Sequence, residues 1–308
     1  FSTINERAKG EQLGTLAWHD RGVAVFESLS LPVEVQVKLT ELVAIIDDLG
    51  PVVTAFSGGA DSAFVAAVAH EVLGAERAHA VTAVSPSLAG DEEADCRQLA
   101  QEWNLRWTPV STAEMERAAY RANDIDRCYH CKAELMDVVG PIADREGATV
   151  ILGVNVDDLA DHRPGQRAAL ERGAVFPLVQ AGFTKDDVRL VSHAMGLRTW
   201  DKPAAACLAS RVPYGTPVSV EILSRVDRAE AALHGLGFRQ VRVRHYGETA
   251  RIEVVESELE NALSQRSFII EAVKAAGYQY VTLDLEGFRS GNLNFGVTES
   301  SSGASSHS

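Results

Sequence analysis

Residues 52–62 read Val52-Val53-Thr54-Ala55-Phe56-Ser57-Gly58-Gly59-Ala60-Asp61-Ser62. The first five are apolar or β-branched, which predicts a short buried strand, and the apolar run that begins at Ser62 predicts a helix to Leu73. Two glycines in the turn let the backbone approach a ligand closely and present its N–H groups. A strand, a Gly-rich turn and a helix N-terminus together predict a loop that binds phosphate.

The polar side chains of this loop add to the prediction. The hydroxyls of Ser57 and Ser62 can donate hydrogen bonds to pyrophosphate oxygens. Asp61 would repel phosphate unless a cation lies between them, which suggests a Mg²⁺ ligand. The loop is not a Walker motif, because it lacks the Gly-Lys-Ser/Thr ending. The alternative interpretation is a plain strand-to-helix turn capped by a serine.

The hexapeptide 57–62 resembles the signature of the PP-loop ATP pyrophosphatase superfamily, which includes NAD synthetase and several RNA thiolation enzymes. Members of that superfamily cut ATP between its α and β phosphates. The resemblance implies that Ser57, Gly58, Gly59, Asp61 and Ser62 bind ATP, with Asp61 holding Mg²⁺.

Hydrophobic periodicity predicts an α/β fold, in which a parallel sheet has helices on both faces. Strands at 51–56, 78–84, 107–110 and 149–154 alternate with helices at 34–49, 62–73, 91–103 and 132–146. The pattern then changes to that of a smaller C-terminal α+β domain. Its predicted elements are a helix at 218–236, strands at 240–246 and 250–255, a helix at 258–276 and a strand at 278–285.

These elements predict four segments. Residues 1–32 are an N-terminal extension, and residues 33–215 form the PP-loop ATP pyrophosphatase domain. Residues 216–294 form the small α+β domain, which we expect to bind substrate and to mediate oligomerisation. Residues 295–308 are mostly serine and are expected to be a disordered tail.

Composition limits the class of ligand and the location. The formal net charge of the 308 residues is -14, which weighs against a protein that grips a long phosphate backbone. One site for a small phosphorylated ligand needs only a few Arg or Lys. No apolar run of about 18 residues occurs, so no membrane span is expected. The N-terminus does not resemble a signal peptide, and we expect a cytoplasmic location.

The cysteines are Cys96, Cys128, Cys131 and Cys207. A disulfide framework is not expected in a cytosolic chain of this size, which leaves metal binding or sulfur chemistry for those that cluster. Cys96 lies on an amphipathic helix beside Leu99 and is predicted to be a small core residue.

Cys128 and Cys131 form a Cys-x-x-Cys pair. If Cys207 joins them, three thiolates can hold three irons of a [4Fe–4S] cluster and leave the fourth iron open. A zinc site would need a fourth ligand, and His130 lies inside the pair. An unpaired or purely redox-active pair is a further alternative, and spacing alone does not decide whether Cys207 takes part. Flanking basic residues would favour thiolates. They are Arg127, Lys132 and Arg211.

Longer stretches carry a closer resemblance. They are Arg127-Cys128-Tyr129-His130-Cys131-Lys132, Gly153-Val154-Asn155-Val156-Asp157-Asp158, Asp161-His162-Arg163-Pro164-Gly165, and residues 201–215 from Asp201-Lys202-Pro203 through Cys207-Leu208-Ala209-Ser210-Arg211 to Val212-Pro213-Tyr214-Gly215. Over about 33–294 the chain resembles the LarE family. These are ATP-dependent sulfur transferases that help to build the nickel-pincer cofactor of lactate racemase.

The resemblance implies a substrate and a reaction. ATP adenylates a carboxylate of pyridinium-3,5-biscarboxylic acid mononucleotide, and a sulfur nucleophile displaces AMP to leave a thiocarboxylate. Some family members sacrifice the sulfur of one cysteine, at the position of Cys207. Others hold a [4Fe–4S] cluster with three cysteines, and its open iron carries sulfide. Because Cys128, Cys131 and Cys207 are all present, the resemblance implies the cluster type, with these three as the catalytic and iron-binding residues.

Other residues receive roles with the help of the same resemblance. Gly153, Asn155 and Asp158 follow a strand end on the ATP side of the sheet and are expected to bind ATP; a polar loop with a helix cap is the alternative. The residues expected to bind substrate, against the alternative of solvated surface charge, are Lys202, Arg211, Arg242, Arg244 and Glu230. LarE proteins are hexamers with substrate sites near subunit contacts, which implies a homohexamer or another homo-oligomer.

Three rival functions use parts of the same evidence. A tRNA thiolation enzyme shares the loop, but the charge of -14 and the lack of a recognisable RNA-binding module oppose it. An ATP-dependent amide synthetase leaves the three cysteines unexplained. A non-catalytic ATP-binding or iron–sulfur sensor protein is disfavoured by the intact Ser57, Asp61 and Ser62. We therefore expect a mononucleotide as partner, and neither nucleic acid nor membrane.

Overall fold

The computed structural model describes Phe26 and residues 28–160, 164–203 and 206–289. The predicted tail, most of the predicted N-terminal extension and residues 161–163 lie outside the described residues. Within the described ranges, no helix is both long enough and apolar enough to cross a membrane.

Helices and strands alternate through the first half of the chain, as the sequence predicts. In chain order they are α1 (Val33–Leu49), β1 (Val52–Ala55), α2 (Ala60–Leu73), β2 (Ala78–Val84), α3 (Gly90–Glu102), β3 (Arg106–Ser111), α4 (Ala118–Ala122), α5 (Arg127–Glu146), β4 (Thr149–Leu152), α6 (Pro164–Leu170), α7 (Pro177–Gln180), α8 (Lys185–Ala194), α9 (Val220–Gly235), β5 (Val241–Tyr246), β6 (Thr249–Val254), α10 (Leu259–Ser264), α11 (Arg266–Ala275) and β7 (Tyr280–Leu283).

The described residues divide into two compact units. The first unit takes the described residues up to Val84, Glu92–Thr112 and those within Lys132–Ala204, and the second takes Ser85–Asp91, Ala113–Cys131 and the described residues from 206 onward. The domain boundary predicted at residue 215 therefore differs from the boundary between the two compact units. Segments around Ser87, Tyr120 and Cys207 belong to the C-terminal unit, because they share one apolar cluster with α9.

The first unit contains a four-stranded sheet in the order β3-β2-β1-β4, with every neighbouring pair parallel. The strands are buried runs of Val, Ile, Ala and Thr, as expected for a parallel sheet covered on both faces. The strand order reverses between β1 and β4, which lie side by side with Ala55 opposite Leu152. Ligands bind at such a switch point in open parallel sheets, beyond the carboxyl ends of the strands.

Alternate side chains of the strands face two separate cores. Val52 and Ile151 pack with residues of α1, α2 and α8. Val53 and Leu152 pack with residues of α5 and α6. The predicted α/β fold with helices on both faces of a parallel sheet is confirmed. Helix α2 is buried on nearly all sides, because it is built mainly from Ala, Val and Phe.

The second unit contains a three-stranded sheet in the order β5-β6-β7, covered by α9 and α11. Strands β5 and β6 form the predicted hairpin around Gly247, whose φ of 63° suits a tight turn. The single helix predicted at 258–276 is wrong, since it is broken into α10 and α11 at Gln265. The Ser264 hydroxyl donates to the Asn261 carbonyl oxygen at 2.7 Å and so competes with the helical ladder.

Candidate active site

The loop between β1 and α2 is closed by its own serines. The Ser57 amide donates to Ser62 Oγ at 3.2 Å, the two hydroxyl oxygens are 3.0 Å apart, and Ser62 Oγ donates to the Gly59 carbonyl oxygen at 3.1 Å. Gly59 is the N-cap of α2 and provides no side chain to cap the helix. The amide groups at this helix N-terminus are therefore not capped by a side chain at the N-cap, as a phosphate-binding loop requires.

Two glycines of the site stand where a side chain has no room. Gly58 has a φ of 70°, and a Cβ there would lie 2.8 Å from Cys96 Sγ. A Cβ on Gly153 would lie 2.6 Å from the carbonyl carbon of Asp61 and from the amide nitrogen of Ser62. The segment after β4 therefore lies directly against the first turn of α2, and the loop positions expected from sequence come together.

A Gly153→Ala substitution should disrupt this approach. Because the obstructing atoms are backbone, they can move away only if the first turn of α2 shifts, and we expect a loss of about 1–3 kcal/mol in the free energy of unfolding. ATP affinity should fall at the same time. The checks are chemical denaturation and ATP titration by calorimetry. Gly140→Ala, in α5 where a Cβ meets nothing within 4 Å, is the control and should be neutral or stabilising.

Asp61 lies in the first turn of α2, and its carboxylate oxygen accepts a hydrogen bond from Asn155 Nδ2 at 3.1 Å. Asn155 is fully buried, and its orientation is fixed by reciprocal bonds with Asp158: the Asp158 amide donates to Asn155 Oδ1 at 3.2 Å, and the Asn155 amide donates to Asp158 Oδ2 at 3.3 Å. The structure thus gathers Asp61, Gly153, Asn155 and Asp158 at the switch point.

Burial raises the pKa of Asp61 above its ordinary value, against the opposing effects of the Asn155 hydrogen bond and the nearby Lys185 charge. Asp158 adds a second negative charge nearby, which raises the pKa further. A partly buried carboxylate near another one is an environment that a cation would relieve. The chemistry of these oxygen donors therefore fits Mg²⁺.

Lys202 is engaged in an ion-pair network beneath the loop. Its Nζ donates to the Gly58 carbonyl oxygen at 3.1 Å, to Glu92 Oε2 at 2.8 Å and to Asp95 Oδ2 at 2.7 Å. Burial opposes the charged form, but the hydrogen bonds that Lys202 donates to Asp95 and Glu92 outweigh burial and raise the pKa of Lys202. In this structure the ammonium stabilises the loop through its bond to Gly58. Its expected role in binding substrate stays a prediction.

Lys202→Met should loosen the phosphate loop. The Gly58 carbonyl loses its donor, and Glu92 and Asp95 lose a shared cation, so we expect roughly 1–3 kcal/mol of destabilisation and weaker ATP binding. The measurements are thermal unfolding and ATP titration. Adding Glu92→Gln to Lys202→Met should recover part of the stability, since one unpaired carboxylate is removed. No recovery would argue against the ion-pair account.

Cys96 is fully buried among Phe56, Ala63 and Leu99, as predicted for a core residue. Burial raises the pKa of its thiol to about 11. Sequence reasoning did not anticipate that its sulfur would lie directly under Gly58, because a helix face was the only signal.

The other three cysteines all belong to the second unit. Helix α5 begins at Arg127, five residues earlier than predicted, so Cys128 and Cys131 both lie in its first turn or just after it. Cys207 immediately precedes a short 3-10 helix, Leu208–Arg211. Cys131 and Cys207 pack against one apolar cluster around Tyr120.

Arg127 lies near two of these cysteines and is hydrogen bonded to neighbouring segments of the chain. Its guanidinium is buried and donates to the Ala209 carbonyl oxygen at 2.7 Å and to the Asn123 side chain. Burial opposes its charge, but the nearby sulfurs of Cys207 and Cys128 help to raise the pKa of Arg127. Cys128 and Cys207 therefore lie near Arg127, and Cys131 and Cys207 lie against the cluster that contains Tyr120.

The segment that carries Cys207 is held on both sides. The Leu208 amide donates to the Ser87 carbonyl oxygen at 2.9 Å. Arg211 Nη1 donates to the carbonyl oxygens of Ala206 at 2.5 Å and Cys207 at 3.2 Å.

In the part of the chain that the structure describes, no group of three or more His, Cys, Asp or Glu is arranged to hold a metal ion.

Arg211, Arg244 and Glu230, which sequence reasoning gave to the substrate, are buried in ion pairs. Arg211 Nε and Nη2 donate to Glu230 at 2.9 and 2.8 Å, and Glu230 Oε1 also accepts from the Val243 amide at 2.8 Å. Arg244 donates to Glu253 at 3.0 and 2.8 Å. These pairs link β5 to α9 and β6, a structural role that the sequence pattern did not indicate.

Arg242 lies on the same face of β5 as Arg244 but is only partly buried, with its guanidinium over the Phe288 ring at 5.1 Å. Burial, together with the charges of Arg211 and Arg244, lowers the pKa of Arg242 to about 10. A guanidinium destabilised by like charges favours an anion beside it.

Asn123 is a structural residue that the sequence reasoning missed. It has a φ of 59°, is fully buried, and its Nδ2 donates to the carbonyl oxygens of Pro213 and Thr216, both at 2.8 Å. An Asn at the left-handed C-cap of a helix has a local signal. Its partners lie about ninety residues further along the chain, and nothing in the sequence points to them.

Comparison with known proteins identifies the family of this chain. A family model described as NAD synthase matches residues 36–134, which contain the phosphate loop and the Cys-x-x-Cys pair. The chain is 36% identical over 263 residues to the pyridinium-3,5-bisthiocarboxylic acid mononucleotide synthase of Lactiplantibacillus plantarum, over 85% of this chain and 95% of that relative. The chain belongs to the LarE family.

This LarE chain has further relatives. It is 44% identical over 265 residues to an uncharacterised protein of Synechocystis sp., over 85% of this chain and 98% of the relative. It is 25% identical over 240 residues to an uncharacterised protein of Methanocaldococcus jannaschii, over 78% of this chain and 91% of the relative. The resemblance inferred from sequence motifs, to LarE within the PP-loop superfamily, is confirmed.

Proposed function

We propose that this protein is an ATP-dependent sulfur transferase that converts a carboxylate of pyridinium-3,5-biscarboxylic acid mononucleotide into a thiocarboxylate. The observation that carries the proposal is the meeting of Asp61 and Asn155 beside a phosphate-type loop, in a chain that aligns over most of its length with a named bisthiocarboxylic acid mononucleotide synthase. That name supplies the product.

The proposed reaction has two steps. A carboxylate oxygen of the substrate attacks the α-phosphorus of ATP, and the bond to the β-phosphate oxygen breaks to release pyrophosphate. A sulfur nucleophile then adds to the activated carbonyl carbon, and the bond to the AMP oxygen breaks. AMP is a better leaving group than the oxide of a bare carboxylate, which is why the first step is needed.

The residues of the loop have distinct roles in this proposal. The α2 N-terminal amides and the hydroxyls of Ser57 and Ser62 bind the β and γ phosphates. Asp61 and Asp158 would hold Mg²⁺, which would neutralise charge on the phosphate oxygens. Asn155 fixes the Asp61 carboxylate by donating a hydrogen bond to it.

The three cysteines are proposed to hold a [4Fe–4S] cluster. In a single-ion site all the sulfurs surround one metal at about 2.3 Å, whereas each thiolate of a cluster binds a different iron and the sulfurs lie further apart. The positions of Cys128 and Cys207 near Arg127, and of Cys131 and Cys207 against one apolar cluster, support this proposal. When bound, the cluster would supply sulfide from its open iron.

The alternative is sacrificial transfer from Cys207 alone, as in the single-cysteine members of the family. The firm hold of Ser87 and Arg211 on the segment around Cys207 is compatible with both routes, since a ligand and a nucleophile both need a fixed sulfur. The presence of Cys128 and Cys131 in the same compact unit supports the cluster.

Arg242 is the residue that we propose for the substrate phosphate, with Arg244 beside it. Arg242→Ala should weaken mononucleotide binding by roughly 1.5–3 kcal/mol, the size of a charge-assisted hydrogen bond. ATP affinity should hardly change. Arg239→Ala, an exposed arginine in the same unit, is the charge-matched control. Equal losses of mononucleotide and ATP binding in the Arg242 variant would indicate a structural role instead.

Arg244→Ala tests a different property. Because Arg244 pairs with the fully buried Glu253, its removal should destabilise the second unit, so any loss of binding has to be judged beside unfolding data. The oligomeric state expected from the family, a homohexamer or another homo-oligomer, is likewise a proposal. Light scattering of the purified protein tests it.

The test of the proposed function is product analysis. The anaerobically reconstituted protein is incubated with ATP, Mg²⁺, sulfide and the mononucleotide, and nucleotides and pyridinium products are separated. AMP, pyrophosphate and a thiocarboxylate in equal amounts are expected. ADP and orthophosphate as the only products would exclude the proposal. Thiolation of tRNA but not of the mononucleotide would favour the rival RNA-modifying function.

A further inference from the structure

The peptide group between Phe56 and Ser57, where the phosphate loop begins, is held by the side chain of Thr82 in β2. The ladder between β1 and β2 ends at Ala55 opposite Val81, and the Phe56 amide makes one more bond, to the Val81 carbonyl oxygen at 2.8 Å. Beyond that point the Thr82 hydroxyl donates to the Phe56 carbonyl oxygen at 2.7 Å. Thr82 is almost completely buried, so this bond is shielded from water.

Trp107 fixes the direction of the Thr82 hydroxyl. The indole Nε1 of Trp107 donates to Thr82 Oγ1 at 2.8 Å. An indole N–H can only donate, so the Thr82 oxygen is the acceptor of that bond and its own proton remains for the Phe56 carbonyl. The Cys96 thiol is a further neighbour of this hydroxyl, and burial keeps it protonated by raising its pKa to about 11. Thr82 thus has one place to donate, which is Phe56.

A carbonyl held in this way determines where the following amide points. In a planar trans peptide the C=O and N–H groups point in opposite directions. The Ser57 N–H is therefore directed into the loop, where it donates to Ser62 Oγ at 3.2 Å. Lys202 holds a second carbonyl of the loop, that of Gly58, at 3.1 Å. A loop that binds phosphate needs its amides turned toward the ligand and its carbonyls turned away. Thr82 and Lys202 hold two of those carbonyls away.

We propose that Thr82 is a positioning residue of the phosphate loop, whose hydroxyl, oriented by Trp107, holds the Phe56 carbonyl so that the Ser57 amide faces the polyphosphate of ATP. This inference rests on the ATP-binding part of the proposed function. Because Thr82 is buried, it acts through the backbone and not by contact with the nucleotide. A loop that is already held in its binding conformation loses less conformational entropy when the ligand arrives.

Thr82→Val tests the inference, with Thr82→Ser as the rescue variant. Valine is similar in shape to threonine but has no hydroxyl, whereas serine keeps the hydroxyl. Thr108→Val is the matched control, because Thr108 lies on the neighbouring strand β3 and its hydroxyl is 2.9 Å from His79 Nε2, on the face of the sheet opposite to Trp107. The measurements are the melting temperature of each variant and its affinities for inorganic pyrophosphate and for AMP, both with Mg²⁺, by calorimetry well below that temperature.

The loss of affinity should be confined to one variant and one probe. Thr82→Val should bind pyrophosphate about five- to tenfold more weakly, the effect of one neutral hydrogen bond, while its AMP affinity stays unchanged. Thr82→Ser should bind pyrophosphate almost as the native protein does. Thr108→Val should melt at a lower temperature, since His79 loses a partner, and yet keep the native pyrophosphate affinity. If Thr82→Val does not fold, Trp107→Phe removes the donor that orients the hydroxyl and should show a smaller loss of the same kind.

Three results would overturn the inference. An unchanged pyrophosphate affinity in folded Thr82→Val would refute the role of Thr82 while leaving the proposed function intact. An equal loss of pyrophosphate affinity in Thr108→Val, or an equal loss of AMP affinity in Thr82→Val, would show a general weakening of the sheet instead of a positioned loop. A native protein that binds neither ATP nor pyrophosphate would refute the proposed function, and the role of Thr82 with it.

Discussion

Asp61→Asn is expected to reduce ATP-dependent activity by at least two orders of magnitude while the protein remains folded. Asparagine keeps the size of the side chain, and its Oδ1 can still accept the hydrogen bond from Asn155. The substitution removes the negative charge, and with it the Mg²⁺ that offsets charge on the phosphates. Mutating a group that only orients a metal ligand already lowers metal affinity or activity by about 10–100-fold. Pyrophosphate release, measured at several Mg²⁺ concentrations, checks the expectation.

The same variant should lose activity without losing stability. Burial raises the pKa of Asp61 above 3.8, so the folded state holds its proton more tightly than the unfolded state and loses stability as pH rises through the folded pKa. At pH 7 the unliganded Asp61→Asn protein should therefore be at least as stable as the native one. The difference should vanish only well below pH 3.8, where Asp61 is protonated in both states.

Either of two results would contradict this account of Asp61. Retained pyrophosphate release at saturating ATP would mean that Asp61 does not place the metal. A clearly less stable variant at pH 7 would mean that the carboxylate forms favourable bonds within the fold, beyond the one from Asn155.

Cys128→Ala is the second substitution with a large expected effect. If the cluster needs all three thiolates, the reconstituted variant should fall from about four irons per chain to nearly none. Catalytic sulfur transfer should be lost with the iron. ATP binding should be unchanged, since the loop belongs to the other compact unit. Iron and acid-labile sulfide are counted beside an anaerobic absorption spectrum.

Cys96→Ala is the control for Cys128→Ala. It removes a sulfur from the core of the first unit, where the thiol is fully buried. A modest loss of stability is expected, because removing a small buried side chain costs about 1 kcal/mol. Iron content should be that of the native protein. Full sulfur-transfer activity in Cys128→Ala would support sacrificial transfer from Cys207 instead of the cluster.

The first unit could be predicted well from sequence because its signals are local. Buried strands of Val and Ala alternate with amphipathic helices, and the Gly-rich turn after β1 indicates a phosphate-binding loop in that setting. The contact between Gly153 and the backbone of Asp61 is not local. It follows from the neighbouring positions of β1 and β4 in the sheet, which no sequence period encodes.

The second unit could be predicted less well, because the same residue types serve two purposes. An Arg-x-Arg strand is as consistent with a phosphate clamp as with ion pairs. Arg244 is held by Glu253, and Arg211 by Glu230, whereas Arg242 remains partly accessible. Burial and partner identity decide between these uses, and both arise only on folding.

The positions of the three cysteines could also be predicted only in part. The Cys-x-x-Cys spacing indicates that Cys128 and Cys131 lie on one turn. Nothing in the spacing assigns Cys207 to them. In the folded unit, Ser87, Tyr120 and Arg127 lie near the segment that carries Cys207, and each comes from a segment far away in sequence. Only the family resemblance assigns Cys207 to the pair, and that assignment stays a prediction.

The most direct test of the central claim is the number of thiocarboxylates formed per chain, combined with the mass of Cys207. The anaerobically reconstituted protein is supplied with excess sulfide, ATP, Mg²⁺ and mononucleotide, and products are counted before the protein is digested for mass spectrometry. Cluster-based transfer predicts several products per chain and an unchanged Cys207. One product per chain, with Cys207 lighter by the mass of H₂S, would contradict it.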